Sequence, residues 1–148
     1  NGAWSGWKAI KTGVTGTSYT DTAVKSGATV RYTVRVVNGN YASWYTASNT
    51  TKFLTQPTVK VAKTTTGINA TWGKVSGTSG YIVYRRTYTN GAWSGWTTIK
   101  TTTALSFNDT TAKKGVTYQY TVRAYSGSYR SSYTNRCIMD ARYIKNYA

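Results

Sequence analysis

The sequence predicts an all-β chain: a seven-stranded antiparallel β-sandwich preceded by the C-terminal half of another. Three observations predict it. Apolar and polar residues alternate with period two along nearly the whole chain, and Tyr, Trp, Thr, Val and Gly dominate the pattern, as strands require and helices do not. Between Gln56 and Met139 seven such runs are separated by Gly, Ser, Asn and Thr clusters, the punctuation of an antiparallel sandwich. The heptad NGAWSGW occurs at Asn1–Trp7 and again at Asn90–Trp96.

The echo runs past the heptad. WKAIKT (Trp7–Thr12) answers WTTIKT (Trp96–Thr101), TSYTDTAVKSG (Thr17–Gly27) answers LSFNDTTAKKG (Leu105–Gly115), and RYTVRVVNG (Arg31–Gly39) answers QYTVRAYSG (Gln119–Gly127). From Asn1 to Asn90 the offset is 89; from Asp21 to Asp109 it is 88. One residue is therefore lost in the turn near Thr101–Ala104. A repeat of this length is a domain, not a solenoid unit.

Taken in order, Thr58–Ala62 places Val59 and Val61 on one face, and Ile68–Trp72 places Ile68, Ala70 and Trp72 on one face. Gly80–Thr87 is apolar on both faces at Tyr81, Ile82, Val83 and Tyr84, as a central strand would be. Trp96–Lys100 offers Trp96 and Ile99, and Leu105–Phe107 is short. Val116–Tyr125 points Tyr118, Tyr120, Val122 and Ala124 inward and Thr117, Gln119, Thr121 and Arg123 outward. Tyr129–Met139 closes the set as one strand.

The run TWGKVSGTSGYIVYRR (Thr71–Arg86) followed by KKGVTYQYTVRAYSG (Lys113–Gly127) resembles a fibronectin type III module. It is most similar to the modules strung in tandem along secreted and surface proteins of Gram-positive, Clostridia-type gut bacteria. The resemblance implies that Trp72 fills the core from the second strand and that Tyr81 and Val83 line it from the third. It also implies that the Tyr118 hydroxyl docks on backbone at the corner after the fifth strand. In the first unit that corner is Val30. The implied domains are 1–52, the back half of a module; 53–57, a linker, with Pro57 opening the next first strand; 58–140, a complete module; and 141–148, a tail that either frays or adds a strand.

In this fold strands A, B and E form one sheet and C′, C, F and G the other. Residues 1–48 supply only C′, E, F and G. Strand E then lacks sheet partners, strand C is missing, and Tyr19, Tyr32 and Val34 face no opposite layer. Either the chain is cut from a longer tandem, or another chain supplies the strands by exchange. Asn1, with no starting Met and no secretion signal, reads as a cut or boundary.

Composition narrows function. Nineteen Lys and Arg face Asp21, Asp109 and Asp140, a net charge of +16. That field attracts polyanions such as teichoic acid, acidic glycans and, non-specifically, nucleic acid. Spread along the chain, the same charges keep sheet edges apart. No apolar run is long enough to span a membrane. Cys137 is alone, so no disulfide forms within the chain. With no His, no Glu and three scattered Asp, the expectations are no enzyme, no metal and no cofactor. Asp21 and Asp109 each follow an aromatic before a turn, where a carboxylate bonds nearby backbone N–H groups.

The candidate ligand-binding residues are Trp4 and Trp93, on glycine-rich hairpin tips, with Arg85, Arg86 and Lys100 nearby. An exposed indole there is a platform for a sugar ring or partner surface, or else folds down over its own hairpin. Trp7 and Trp96 begin an alternating strand and are expected to be core or half-buried. Trp44, replaced by Ser132 in the second unit, is a candidate for contact between modules. The expected function is a non-catalytic spacer or adhesion module of a secreted or wall-associated Gram-positive protein, partnered by neighbouring modules. The alternatives are a module binding glycan or anionic wall polymer, such as polysaccharide or teichoic acid, and a self-assembling surface protein with strands exchanged at residues 1–48.

Overall fold

The computed structural model describes residues 2–133 and 139–142. Thirteen strands and no helix occur among them: β1 (Thr29–Arg31), β2 (Val37–Asn38), β3 (Tyr41–Ala42), β4 (Thr50–Lys52), β5 (Val59–Lys63), β6 (Ile68–Trp72), β7 (Gly80–Thr89), β8 (Ala92–Trp93), β9 (Thr97–Thr102), β10 (Ser106–Asp109), β11 (Thr117–Ser126), β12 (Tyr129–Arg130) and β13 (Met139–Arg142).

From β5 onward they build a two-layer antiparallel sandwich. One sheet has the order β10–β6–β5. The other is centred on β7, which pairs with β11 on one side and with β9 and the short β8 on the other; β12 and β13 extend the free side of β11. Equating β5, β6 and β10 with strands A, B and E, and β9, β7 and β11 with C′, C and F, gives the fibronectin type III order. The period-two faces meet between the layers. Val59, Ile68 and Trp72 from one sheet pack on Tyr81, Val83, Tyr120 and Val122 from the other, all buried. Each such side chain contributes about 1.5–3 kcal/mol by leaving water. Tyr118 accepts a hydrogen bond from the Lys113 N–H at 2.9 Å, the corner contact the resemblance implied.

Several boundaries differ from expectation. Among the described residues Tyr129–Met139 is not one strand: β12 ends at Arg130, residues 131–133 lie in no strand although the Ser131 N–H still bonds the Ala124 carbonyl, and β13 pairs Met139 with Tyr120. β13 then runs to Arg142, past the expected edge of the module at 140. Cys137 and residues 143–148 lie outside the described residues. A register shift between Val83 and Tyr84 lets Lys100 pair with Val83 and Thr98 with Tyr84, so Ile99 is skipped. Such a bulge re-aims the strand. It places Ile99 against the core while Trp96 lies on the outer sheet face.

Residues 53–57 are not a free linker. Leu54 is 3% exposed and belongs to the core of the second unit, and Pro57 is fully buried. The two units also meet through turns. Ser26 Oγ donates to the Ser76 carbonyl at 2.9 Å and accepts the Thr55 N–H at 3.0 Å. The Gly27 N–H donates to the Phe53 carbonyl at 2.7 Å, and the Phe53 N–H to the Ala28 carbonyl at 3.0 Å. Gly27 and Gly77 both adopt positive φ, 90° and 74°. Their backbones approach so closely that a Cβ on Gly77 would lie 2.2 Å from the Gly27 Cα. Only glycine fits both demands.

The first unit is sparser. Residues 2–28 contain no strand, and the rest pairs only as β1–β4 and β2–β3. Val34 is 66% exposed and Trp7, expected to be core or half-buried, is 58% exposed. Trp44 is 92% exposed and takes no part in the joint between the units.

Candidate functional site

The heptad has a local mechanical explanation in its second copy. Thr89 pairs with Ala92, leaving Asn90 and Gly91 as a two-residue loop, both at positive φ (51° and 80°). That is the demand of a type I′ hairpin turn, which Asn-Gly meets. The Ser94 N–H donates to the Thr87 carbonyl at 2.8 Å, and Ser94 Oγ accepts the Thr87 N–H at 2.9 Å. The hairpin thus closes with a side chain where the backbone ladder stops.

Trp93 and Trp96 then flank one guanidinium. Arg86 Cζ lies 5.0 Å from the Trp93 ring centre and 4.8 Å from that of Trp96. Arg86 Nε donates to Gln119 Oε1 at 2.7 Å, and Tyr88 packs on Trp93 at 5.1 Å. A cation between two indole faces is held by both ring quadrupoles. Trp93 is half-buried on its own sheet. The ladder continues across the face: Tyr84 meets Tyr133 at 6.2 Å, and Arg123 lies 4.9 Å over Tyr133 while its Nε donates to the Ser131 carbonyl. In the first unit Arg31 sits 4.3 Å over Trp4, which is 51% exposed.

The other candidates point elsewhere. Arg85, next in sequence to Arg86, faces the opposite side of the sheet. Its Nη1 pairs with Asp109 Oδ2 at 2.6 Å and donates to Thr111 Oγ1 at 2.9 Å. Asp109 is 1% exposed. It also accepts from Tyr120 Oη at 2.8 Å and from Thr111 through both backbone N–H and hydroxyl. Burial would push the Asp109 carboxyl up; the bonds from Thr111, Tyr120 and Arg85 and the Arg85 charge outweigh it, and its pKa is lowered. Burial and then the Asp109 carboxylate push the Tyr120 phenol far up. Burial alone would lower Arg85, but the bond to Asp109 and its charge leave it raised. Lys100 Nζ lies 5.9 Å over the Phe107 ring. The five candidates therefore do not converge: Trp93 and Arg86 share one outer face, Arg85 is held by an internal carboxylate, and Trp4 belongs to the other unit.

Sequence reasoning gave Asp109 its turn role, which the Thr111 N–H bears out, but missed the Arg85–Asp109–Tyr120 cluster. The signal was present: Arg85 continues the inward parity of Tyr81 and Val83. Among the described residues no group of three His, Cys, Asp or Glu side chains is placed to hold a metal, and no helix is long and apolar enough to cross a membrane.

The fold and the ladder define an all-β sandwich with a basic, aromatic sheet face. No protein-family model matches the chain. It is 34% identical over 128 residues to Exoglucanase B of Cellulomonas fimi, an alignment covering 74% of this chain but only 11% of that protein. Among solved structures, chicken CNTN1 FN1–FN3 domains are similar with a TM-score of 0.44 and 15% identity, covering 86% of this chain and 45% of that one.

Proposed function

We propose that the chain is a non-catalytic spacer or adhesion module of a secreted or wall-associated bacterial protein. The observation that carries this reading is the joint. Leu54 is sunk in the second unit while Ser26 and Gly27 of the first bond and abut the Ser76–Gly77 turn. Units joined by a free linker move independently; a buried side chain and abutting turns restrain the joint relative to a free linker, as a spacer needs. The likeness to part of Exoglucanase B supports a place beside polysaccharide-acting machinery in an extracellular protein. On this reading the domains are 1–52, the joining segment 53–57, and the sandwich from 58 onward.

A second reading, a module for glycan or anionic wall polymer, is favoured by half-exposed Trp4 and the Trp93–Arg86–Trp96 face. Affinity for teichoic acid, an acidic polysaccharide and DNA, measured across salt, separates the two. The spacer reading expects weak binding from the +16 charge that salt abolishes and that Trp93→Ala leaves unchanged. Salt-resistant polysaccharide binding that Trp93→Ala removes would instead establish the platform.

A further inference from the structure

Both units carry the same two cation–ring pairs. In the first, the Arg31 guanidinium lies 4.3 Å over Trp4; Arg35 lies 4.7 Å over Tyr45, and its Nε donates to the Ser43 carbonyl at 2.7 Å. In the second, Arg86 lies 5.0 Å over Trp93; Arg123 lies 4.9 Å over Tyr133, and its Nε donates to the Ser131 carbonyl at 2.7 Å.

The pair on the indole is built by different residues in the two units. Gln119 stands at the repeat position of Arg31. Its Oε1 accepts Arg86 Nε at 2.7 Å and holds that guanidinium over the equivalent ring. The strand that supplies the cation changes; the cation over the indole does not. On β11, Gln119 and Arg123 share a face four residues apart, about 14 Å at the rise of a strand. Arg31 and Arg35 have the same spacing in sequence. Past Arg123 the row continues with Arg130, 5.2 Å over Tyr125. Of the chain's three carboxylates, Asp21 bonds Tyr32 and Asp109 bonds Arg85 and Tyr120. Asp140, opposite Gln119 on β13, is the one in register with the row.

The rings are not bare stacking platforms. Besides its guanidinium, Trp93 packs on Tyr88, Tyr133 on Tyr84 and Tyr45 on Trp7. A nucleobase or a neutral sugar needs an open ring face. What each position offers instead is a guanidinium fork with an apolar flank, since Trp4, Tyr45 and Tyr133 stay about half-exposed. Such a fork takes a carboxylate through two parallel bonds. The flank suits the C–H side of a pyranose carrying that carboxylate. A glycerol-phosphate chain supplies the anion without the ring.

We propose that the two rows bind a linear polyuronate, with sugar carboxylates meeting Arg31, Arg35, Arg86 and Arg123. The inference rests on the glycan-binding reading above and names its ligand class, with Trp93 supporting Arg86 rather than stacking on sugar.

The test titrates the full chain with polygalacturonate, with its methyl ester, with teichoic acid and with DNA, across salt. Polygalacturonate is expected to stay bound at salt that releases DNA, and the ester, which keeps the ring and loses the charge, is expected not to bind. Arg35→Lys/Arg123→Lys keeps the charge and removes the forks, and is expected to weaken polygalacturonate binding about tenfold. Lys60→Gln/Lys63→Gln, on β5 of the other sheet, is expected to change it less than about twofold. The ester comparison uses the unaltered chain and does not depend on how the variants fold. Equal binding of acid and ester that Trp93→Ala abolishes would overturn the carboxylate site and leave a neutral-sugar platform. Teichoic acid retained at salt that releases polygalacturonate would overturn the assignment to a sugar acid. Loss of every polyanion at the same salt, with no response to the arginine-to-lysine change, would overturn both the site and the glycan reading and leave the spacer.

Discussion

Asp109→Ala is expected to destabilise the chain by about 3 kcal/mol, the low end for a buried ion pair because the Arg85 side chain is 21% exposed. The carboxylate is the centre of four bonds: from Arg85, Tyr120 and, twice, Thr111. Its loss leaves the Arg85 guanidinium, still bonded to Thr111 Oγ1, without its counter-charge, and the buried Tyr120 hydroxyl without its acceptor. The double variant Arg85→Met/Asp109→Ala is expected to recover a large part of the loss, because it removes the stranded charge. Urea unfolding of the three proteins measures both quantities; equal midpoints for the single variant and the parent would refute the cluster.

The same carboxylate sets an acid limb. Its folded pKa is lowered, so its contribution is fully present above the unfolded value, about 3.9. It is lost as pH falls from there through the folded pKa. Above about pH 5 it adds no slope. Asp109→Asn removes this limb, and the pH profile of the unfolding midpoint reports it.

Trp72→Ala is expected to cost about 3–5 kcal/mol. The indole is 5% exposed, lies 5.7 Å from Tyr81 at 54°, and closes the sandwich beside Val75, whose N–H is bonded to Tyr81 Oη. No neighbour moves in to fill a gap of that size, since the layers are held by the β5–β6–β10 and β7–β11 ladders on either side. Among the described residues the buried indole Nε1 has no hydrogen-bond partner. Trp72→Phe therefore gives up ring area but also a desolvated donor, and its cost is expected to be less than half that of the alanine variant. Thermal unfolding orders the series; a phenylalanine variant as unstable as the alanine one would show that the N–H matters to the core.

The sandwich was legible because strand periodicity is read one residue at a time. Val59, Trp72, Tyr81, Val83 and Tyr120 sit where parity put them. The end of β12 was not legible: Tyr129 to Met139 alternates well enough, and only the structure shows residues 131–133 outside any strand. Leu54 was missed because Phe53–Leu54 looked like a short apolar step among Thr, Lys and Gln; it enters the core between Phe53 and Thr55, whose backbones bond the Ser26–Ala28 turn. Trp96 kept its half-buried character but on the outer face, because the bulge at Val83/Tyr84 changes which strand residues share a side. Arg85 and Arg86 could not be separated by composition. Adjacent on a strand, they face opposite worlds, one held by Asp109 and the other between two indoles.

The central claim is that the sandwich from β5 onward carries the fold's cooperative core while residues 2–24 lie in no sheet. Residue-resolved hydrogen exchange on the intact chain tests it most directly. The account predicts slow, cooperative exchange across β6, β7 and β11 and fast exchange through residues 2–24, whose backbone lies in no sheet. Protection of residues 2–24 equal to that of β7 in a sedimenting monomer would contradict it.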